Sequence, residues 1–248
     1  MKAFITGLQF LTRIRIANQT DWAPEEFGRS VKYFPLVGGV IGLILVAVNY
    51  LLDVYLPLLG VAIPPHVFAT ILAAMPILLT GGLHCDGFMD TMDGILSGRP
   101  SERMLEIMKD SRVGASGVTA FFLLFFFKWS ILMDISPSLL PLALFTMPVL
   151  ARLAMVIGIT CFPYARPEGM GKAFANFANR KTLYWAICFT AVLIVPIGIR
   201  AIISAVPVLL LALLFARYSS RLLGGLTGDV YGAISELAEV LVLLTFSF

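Results

Sequence analysis

Long apolar runs separated by short polar segments dominate the pattern of this chain. A membrane-spanning helix needs about 20 mostly apolar residues, within a range of about 17–25. The pattern therefore predicts an all-α fold, a polytopic integral membrane helix bundle of about seven transmembrane helices (range six to eight), in a single domain over residues 1–248. The predicted spans are 36–59, 67–83, 115–133, 139–162, 183–199, 201–216 and 233–246.

The first sixteen residues carry apolar side chains at helical spacing: Phe4, Ile5, Leu8 and Leu11. This spacing predicts an amphipathic N-terminal helix, which either lies in the membrane interface or packs as an ordinary helix against the bundle. Arg13 and Arg15 follow the apolar stretch and no small-residue cleavage site appears, so the segment does not resemble a signal peptide.

Composition supports a membrane protein. Hydrophobic residues make up 59% of the chain and charged residues 13%, and the mean hydropathy is +0.92. Soluble domains average roughly 25% charged residues. The cysteines, Cys85, Cys161 and Cys188, form no CxxC pair, which argues against a disulfide framework or a zinc site. We expect membrane lipid as a partner and no nucleic acid.

The basic residues predict the orientation. If the N-terminus is cytoplasmic, fifteen of the eighteen Lys and Arg residues fall in cytoplasmic segments. Lys128 and Arg152 lie inside helices, and only Arg200 remains outside. This positive-inside bias predicts a multi-pass protein of the cytoplasmic (inner) membrane, with the N-terminus and the polar segments facing the cytoplasm.

A polar segment over about 84–114 carries the most chemistry. Asp86, Asp90 and Asp93 are spaced four and then three residues apart, so a helix places all three carboxylates on one face. Like charges in this arrangement repel unless a cation lies between them. Carboxylate oxygens suit Mg²⁺, Mn²⁺ or Ca²⁺, and we predict a metal site formed by these three residues.

Basic residues follow the three aspartates. Arg103, Lys109 and Arg112 could recognise phosphate, and together with the acids they indicate metal-assisted phosphoryl or phosphodiester transfer at a membrane surface. The alternative is a solvated helix in which Glu102, Glu106 and Asp110 pair with Arg103 and Lys109, and for Glu102 and Glu106 we favour it.

Further charges lie within or beside the predicted spans. Glu236 and Glu239 are one turn apart at the start of the last span, and such acids usually face the bundle interior and mark function. Otherwise they would lie in the interface near a helix N-terminus. Arg152 could pair with an acid of the bundle or reach a substrate phosphate, whereas Lys128 could equally serve structural pairing or snorkelling.

The loop 164–175 contains Arg166, Glu168, Lys172 and two glycines, and could form a mobile lid over a polar substrate. The segment 38–42, GGVIG, would permit close helix packing either within one subunit or between subunits of a homo-oligomer.

Several blocks resemble the cobalamin synthase family, the adenosylcobinamide-GDP ribazoletransferases. They are GGLHCDGFMDTMDG (81–94), ERMLEIMKDSRVGASG (102–117), FPLVGGVIG (34–42), YARPEGMGKAF (164–174) and LLGGLTGDVYGAISELAE (222–239). The resemblance implies a Mg²⁺-requiring enzyme at the cytoplasmic membrane that joins adenosylcobinamide-GDP to α-ribazole, or its 5′-phosphate, and releases GMP. The product is adenosylcobalamin or its 5′-phosphate, at the last step of nucleotide-loop assembly. Cys85 is not expected to be catalytic.

With this resemblance, we predict residue roles. Asp86, Asp90 and Asp93 would bind Mg²⁺, and Asp110 or Asp229 would accept the proton of the attacking ribose hydroxyl. Lys109 and Arg112 would hold the diphosphate. The remaining predicted substrate contacts are His84, Arg103, Arg152, Arg166, Glu236 and Glu239. Direct displacement is preferred because no Ser/His or Cys/His pair is evident.

Two other functions stay open from the residues. Asp90, Asp93 and Gly94 match the D-x-x-D-G opening of the CDP-alcohol phosphatidyltransferases, but the Ala-Arg that should follow and the downstream acids are absent. A secondary transporter would show inverted repeats and charges near the bilayer midplane, whereas this sequence shows no internal repeat and gathers most acids at one face.

Overall fold

The computed structural model describes residues 2–18 and 23–248, and helices make up nearly all of its regular structure. The helices in this part of the chain are α1 Lys2–Leu11, α2 Pro24–Ser30, α3 Phe34–Tyr50, α4 Leu56–Leu58, α5 Pro65–Thr80, α6 Leu83–Leu96, α7 Ser101–Ile107, α8 Ala115–Asp134, α9 Leu140–Cys161, α10 Met170–Phe177, α11 Arg180–Ile194, α12 Ile199–Leu223 and α13 Gly228–Phe246. Short 3₁₀ turns at Val31–Tyr33 and Val195–Ile197 and a π-helical turn at Leu51–Tyr55 continue three of them. The predicted all-α fold is confirmed.

Helix α9 forms the centre of the bundle. Its apolar window is 89% buried, and α3, α11, α12 and α13 pack around it. The contact with α3 depends on small residues, because a Cβ atom at Gly38 would lie 2.4 Å from the Pro148 carbonyl oxygen and one at Gly42 would lie 2.8 Å from that of Phe145. The glycines predicted to permit close packing therefore pack within this chain.

Within the residues that the structure describes, five helical segments are long and apolar enough to span a membrane. They are Pro24–Leu58, Ala115–Asp134, Leu140–Cys161, Arg180–Ile197 and Ile199–Leu223. A sixth span would result if α5 and α6 counted as one, although these two helices are bent by 91°. The residues between them, Gly81 and Gly82, have φ values of 63° and 78°, which only glycine adopts readily.

Helix α13 covers the seventh predicted span and carries three acids: Asp229, Glu236 and Glu239. It packs against α6, α9 and α12 and is buried along most of its length. By contrast, α8, α11 and α12 expose many large apolar side chains, such as Phe122, Val192 and Leu214. An exposed apolar surface of this kind is typical of contact with lipid.

The amphipathic N-terminal helix is confirmed as α1, and it packs on α2 and α3. Leu8 and Leu11 are buried, so α1 is a packed element of the bundle. Phe10 makes edge-to-face ring contacts with Phe27 of α2 at 5.4 Å and with Phe174 of α10 at 5.1 Å. These aromatic contacts hold α1, α2 and α10 together at one end of the bundle.

Candidate active site

Helix α6 presents Asp86, Asp90 and Asp93 as their spacing predicts. Asp86 is exposed, and the other two are half-buried. Two glycines let α6 cross closely over α13: a Cβ atom at Gly87 would lie 2.8 Å from the carbonyl oxygen of Asp229, and one at Gly232 would lie 3.1 Å from that of His84. This close packing brings a fourth aspartate, Asp229, next to the acidic face of α6.

Two loops meet beside Asp229. The backbone N–H of Ala165 donates to the carbonyl of Leu226 at 2.8 Å, and the N–H of Leu226 donates to the carbonyl of Pro163 at the same distance. The loop after α9 is therefore fixed to the loop before α13. As a result, Arg166 Nη2 lies 2.9 Å from Asp229 Oδ2 as an ion pair.

Carboxylates outnumber cations at this site. Burial raises the pKa of Asp90 to about 7, and the charges of Asp229, Asp86 and Asp93 add to the effect. Burial also raises the pKa of Asp229, against the opposing charge of Arg166. Both aspartates lie outside the five spanning segments. Within the described residues, Arg166 is the cation whose charge reaches both, so the excess negative charge favours an additional cation.

Asp93 has a different environment from the other two aspartates of α6. Its Oδ2 accepts a hydrogen bond from the N–H of Gly114, and its Oδ1 accepts one from the N–H of Gly117, both at 2.7 Å. These two N–H groups belong to the N-terminus of α8, which a carboxylate stabilises. Asp93 therefore fixes α8 against α6, and Asp86, Asp90 and Asp229 remain to face a ligand.

The acidic residues do not form a complete metal site by themselves. Among the described residues, no three His, Cys, Asp or Glu side chains surround a single metal position. Mg²⁺ is usually held by only one or two carboxylates, and water and substrate phosphates supply its other ligands. The unpaired carboxylates of Asp86 and Asp90 match that requirement in type and charge.

A cavity of about 210 Å³, called here the enclosed cavity because it is less open than the neighbouring cleft, lies beside these acids. Asp86, Asp229, Arg166 and His84 contribute to its wall, and the rest is largely aromatic and apolar. The aromatic side chains of the wall are Phe10, Phe34, Tyr164, Phe174 and Tyr231. The cavity brings together four of the predicted site residues: His84, Asp86, Arg166 and Asp229. The sequence analysis did not identify any of the five aromatic residues as part of a site.

A second cleft of about 630 Å³ lies on the other side of Asp86 and is more open. Its wall includes Arg13 from the end of α1, Thr80 from α5 and Phe121 from α8. Arg13 Nη2 lies 3.5 Å from the carbonyl oxygen of Gly81 at the bend between α5 and α6. Asp86 thus forms part of the boundary between two pockets.

A network of buried charges lies deeper in the bundle. Lys128 Nζ donates to Glu236 Oε2 at 2.6 Å and to Glu239 Oε2 at 2.8 Å. Arg152 Nη1 donates to Glu239 Oε1 at 2.7 Å and to Ser235 Oγ at 3.1 Å. Two cations thus match two carboxylates.

Three residues of this network were predicted to contact the substrate: Arg152, Glu236 and Glu239. The structure places none of these residues in the wall of either pocket, and all three are buried in ion pairs. As is usual for acids within spanning helices, both glutamates face the bundle interior. Their charges are neutralised within the protein.

The basic residues after α6 lie on the surface. Arg103 pairs with Glu106 at 2.6 Å, both side chains being 64% exposed, as the alternative of a solvated helix predicts. The side chain of Arg112 donates three hydrogen bonds to Asp110, which together with the backbone N–H of Arg112 lower the pKa of that carboxyl to about 2. Lys109 is exposed. None of these residues lines the enclosed cavity.

Comparison with known proteins covers almost the whole chain. A family model described as cobalamin-5-phosphate synthase matches residues 3–247. Curated relatives named adenosylcobinamide-GDP ribazoletransferase include those of Desulfitobacterium hafniense, 43% identical over 98% of this chain and 96% of the relative, and of Clostridium acetobutylicum, 37% identical over 98% and 95%. A Pseudomonas aeruginosa relative of that name is 36% identical over 100% and 98%. No solved structure matches.

Proposed function

The chain belongs to the cobalamin-5-phosphate synthase family, and from that premise we propose that it is an adenosylcobinamide-GDP ribazoletransferase. It would join adenosylcobinamide-GDP to α-ribazole, or to α-ribazole 5′-phosphate, and release GMP as the last step of cobalamin assembly. The family match over residues 3–247 carries this proposal. It also favours this enzyme over a CDP-alcohol phosphatidyltransferase or a secondary transporter.

The transfer step exchanges the phosphoanhydride bond of the donor for a new phosphate ester bond. A ribose hydroxyl oxygen of the acceptor forms a bond to the phosphorus nearer the cobinamide, while the bond from that phosphorus to the bridging oxygen breaks and GMP leaves with the electron pair. The hydroxyl proton passes to a carboxylate. Asp229 suits this role because it lines the cavity and its pKa is raised.

Asp110 suits the role of base less well than Asp229. It lies outside the enclosed cavity and pairs with Arg112. Its pKa of about 2 makes its carboxylate a weak proton acceptor. Of the two predicted candidates, we therefore assign the proton to Asp229.

Asp86 and Asp90 would hold Mg²⁺, with Asp229 next to them. When bound, the ion neutralises phosphate oxygens and stabilises the charge that develops on the leaving group. Arg166 provides a positive charge at the same wall of the cavity, where it would bind a phosphate oxygen of donor or acceptor. Asp93 would keep α6 and α8 in register, as its two hydrogen bonds to α8 suggest.

The apolar helices support insertion in a membrane. We further propose the cytoplasmic membrane, with the N-terminus and the acidic site facing the cytoplasm, because fifteen basic residues would then lie inside and one outside. The exposed apolar surface of α8, α11 and α12 would contact lipid or a second copy of the chain.

The test is GMP release by the full-length protein purified in detergent. Adenosylcobinamide-GDP, α-ribazole and α-ribazole 5′-phosphate would be supplied singly and in pairs, with Mg²⁺ or with EDTA. We expect release that requires the donor, one acceptor and the metal. Absence of release with either acceptor, in a preparation that is folded and monodisperse, would contradict the proposed activity.

A further inference from the structure

The enclosed cavity has a chemistry that selects a ligand. Its wall combines two groups of aromatic rings: Phe34 contacts Phe174 edge to face at 5.6 Å, and Tyr164 lies 6.5 Å from Tyr231, measured between ring centroids. Met155 and Ile159 add apolar surface. Aromatic walls of this kind favour a flat, apolar aromatic group, which can stack on one ring and contact the edges of others.

Polar atoms without partners are also present in this wall. Tyr231 and His84 are buried, and neither Tyr231 Oη nor His84 Nε2 has a hydrogen-bond partner among the described residues. A buried polar atom left without a partner is costly, so such an atom on a side chain that lines a cavity is a natural contact for a ligand or water that enters there. A phenol hydroxyl can donate to a ring nitrogen of an aromatic heterocycle.

The size of the cavity favours the smaller substrate. An apolar cavity of about 150 Å³ holds one benzene molecule. A cavity of about 210 Å³ is therefore closer in size to a bicyclic aromatic base than to a corrin ring with its side chains. The larger cleft of about 630 Å³, across Asp86 and more open, provides space for part of the donor.

We propose that the enclosed cavity binds the benzimidazole base of the acceptor nucleoside, with Tyr231 donating a hydrogen bond to its ring nitrogen. This inference rests on the proposed function and adds the location of one substrate. The base is flat and apolar and has one free acceptor nitrogen, which matches a wall of aromatic rings with few polar atoms. Its ribose would then reach Asp229 and Arg166 in the same wall.

The guanine base of the donor is the main competitor for this cavity. Guanine presents several donors and acceptors around its ring edge, and each needs a partner when it is buried. The wall offers mostly aromatic and apolar side chains, so guanine would leave several groups unsatisfied. The attacking hydroxyl also belongs to the acceptor and must lie next to the base that removes its proton.

Two variants test the cavity. Tyr231→Phe removes the hydroxyl and retains the ring, and Met155→Trp fills the space. Loss of one buried hydrogen bond should raise the KM for α-ribazole about tenfold, while the KM for adenosylcobinamide-GDP stays within about twofold. Tyr184→Phe is the matched control, because Tyr184 is 64% exposed and lies outside the cavity. A rise in the KM for the donor in either variant, or unchanged constants for both substrates, would overturn the proposal.

A binding measurement separates this inference from the proposed activity. Free 5,6-dimethylbenzimidazole should raise the melting temperature of wild-type protein and of Tyr184→Phe, and should fail to do so for Met155→Trp. If wild type releases no GMP but shows this pattern, the activity is wrong and the aromatic site stands. If guanosine raises the melting temperature and 5,6-dimethylbenzimidazole does not, the cavity does not bind the acceptor base. The same conclusion follows if 5,6-dimethylbenzimidazole raises the melting temperature of Met155→Trp as much as that of wild type.

Discussion

Two clusters of charged side chains lie in this bundle and differ in how their charges are balanced. In the buried network, Lys128 and Arg152 match Glu236 and Glu239 with contacts of 2.6–2.8 Å. At the acidic site, Asp86, Asp90 and Asp229 face one cation, Arg166, within the described residues. A matched set of buried charges is complete within the protein, whereas an excess of carboxylates needs a positive ligand.

The same residue types therefore serve different purposes in the two clusters. Removing one charge from the balanced network leaves its partner buried without an opposite charge, and the main effect is a loss of folding stability. Removing a carboxylate from the acidic site relieves repulsion, which affects ligand binding and catalysis first. Stability and activity measured on matched variants distinguish the two clusters.

The largest effect is expected at the acidic site. Asp90→Asn should lower GMP release by roughly a thousandfold, because metal stabilisation of developing charge contributes several kcal/mol, while the melting temperature stays the same or rises. Asp53→Asn is the control, since Asp53 lies on the Leu51–Tyr55 turn away from both site pockets. Activity within a fewfold of wild type would remove Asp90 from the metal site.

The next largest effect is expected on the stability of the network. Lys128→Met should destabilise the protein by about 3–5 kcal/mol, because Glu236 loses its ion-pair partner and Glu239 keeps only Arg152. Thermal unfolding in detergent measures this change. Adding Glu236→Gln to Lys128→Met should restore part of the loss by removing the unmatched charge. If Lys128→Met is as stable as wild type, the network does not stabilise the fold.

The two candidate bases should differ in their effect on catalysis. Asp229→Asn should lower kcat by about a hundredfold or more through loss of the proton acceptor, whereas Asp110→Asn should stay within about twofold. Single-turnover GMP release under saturating substrates gives the comparison. The opposite ranking would assign the base to the exposed loop and contradict the role of Asp229.

The smallest effect is expected at the surface of α7. Arg103→Ala removes an ion pair whose two side chains are each 64% exposed, and such pairs contribute roughly 0–1 kcal/mol. The melting temperature and both KM values should be nearly unchanged. A large rise in the KM for adenosylcobinamide-GDP would restore Arg103 as a substrate contact.

The acidic face of α6 could be predicted from the sequence because it depends on local spacing. The apolar runs likewise predicted the helix bundle, since each helix satisfies its own backbone. The pairing of Lys128 with Glu236 could not be predicted, because the two residues are 108 positions apart and meet only when α8 packs on α13.

The aromatic cavity could not be predicted from the sequence for a similar reason. Its wall combines Phe10, Tyr164 and Tyr231 from separate elements, and ordinary apolar residues carry no local signal for a binding site. The approach of Arg166 to Asp229 likewise depends on hydrogen bonds between two distant loops. Gly225 permits this approach, because a Cβ atom there would lie 2.7 Å from the backbone nitrogen of Ala165.

Binding of Mn²⁺ as a spectroscopic substitute for Mg²⁺ tests whether the carboxylates of the acidic site hold the cation. Electron paramagnetic resonance would count the ions bound by wild type, by Asp86→Asn combined with Asp90→Asn, and by Glu236→Gln as a control in the network. We predict that wild type and Glu236→Gln bind Mn²⁺ in the presence of donor substrate and that the double aspartate variant does not. Equal binding by all three proteins would contradict the account, because the excess carboxylates would then not be the site of the cation.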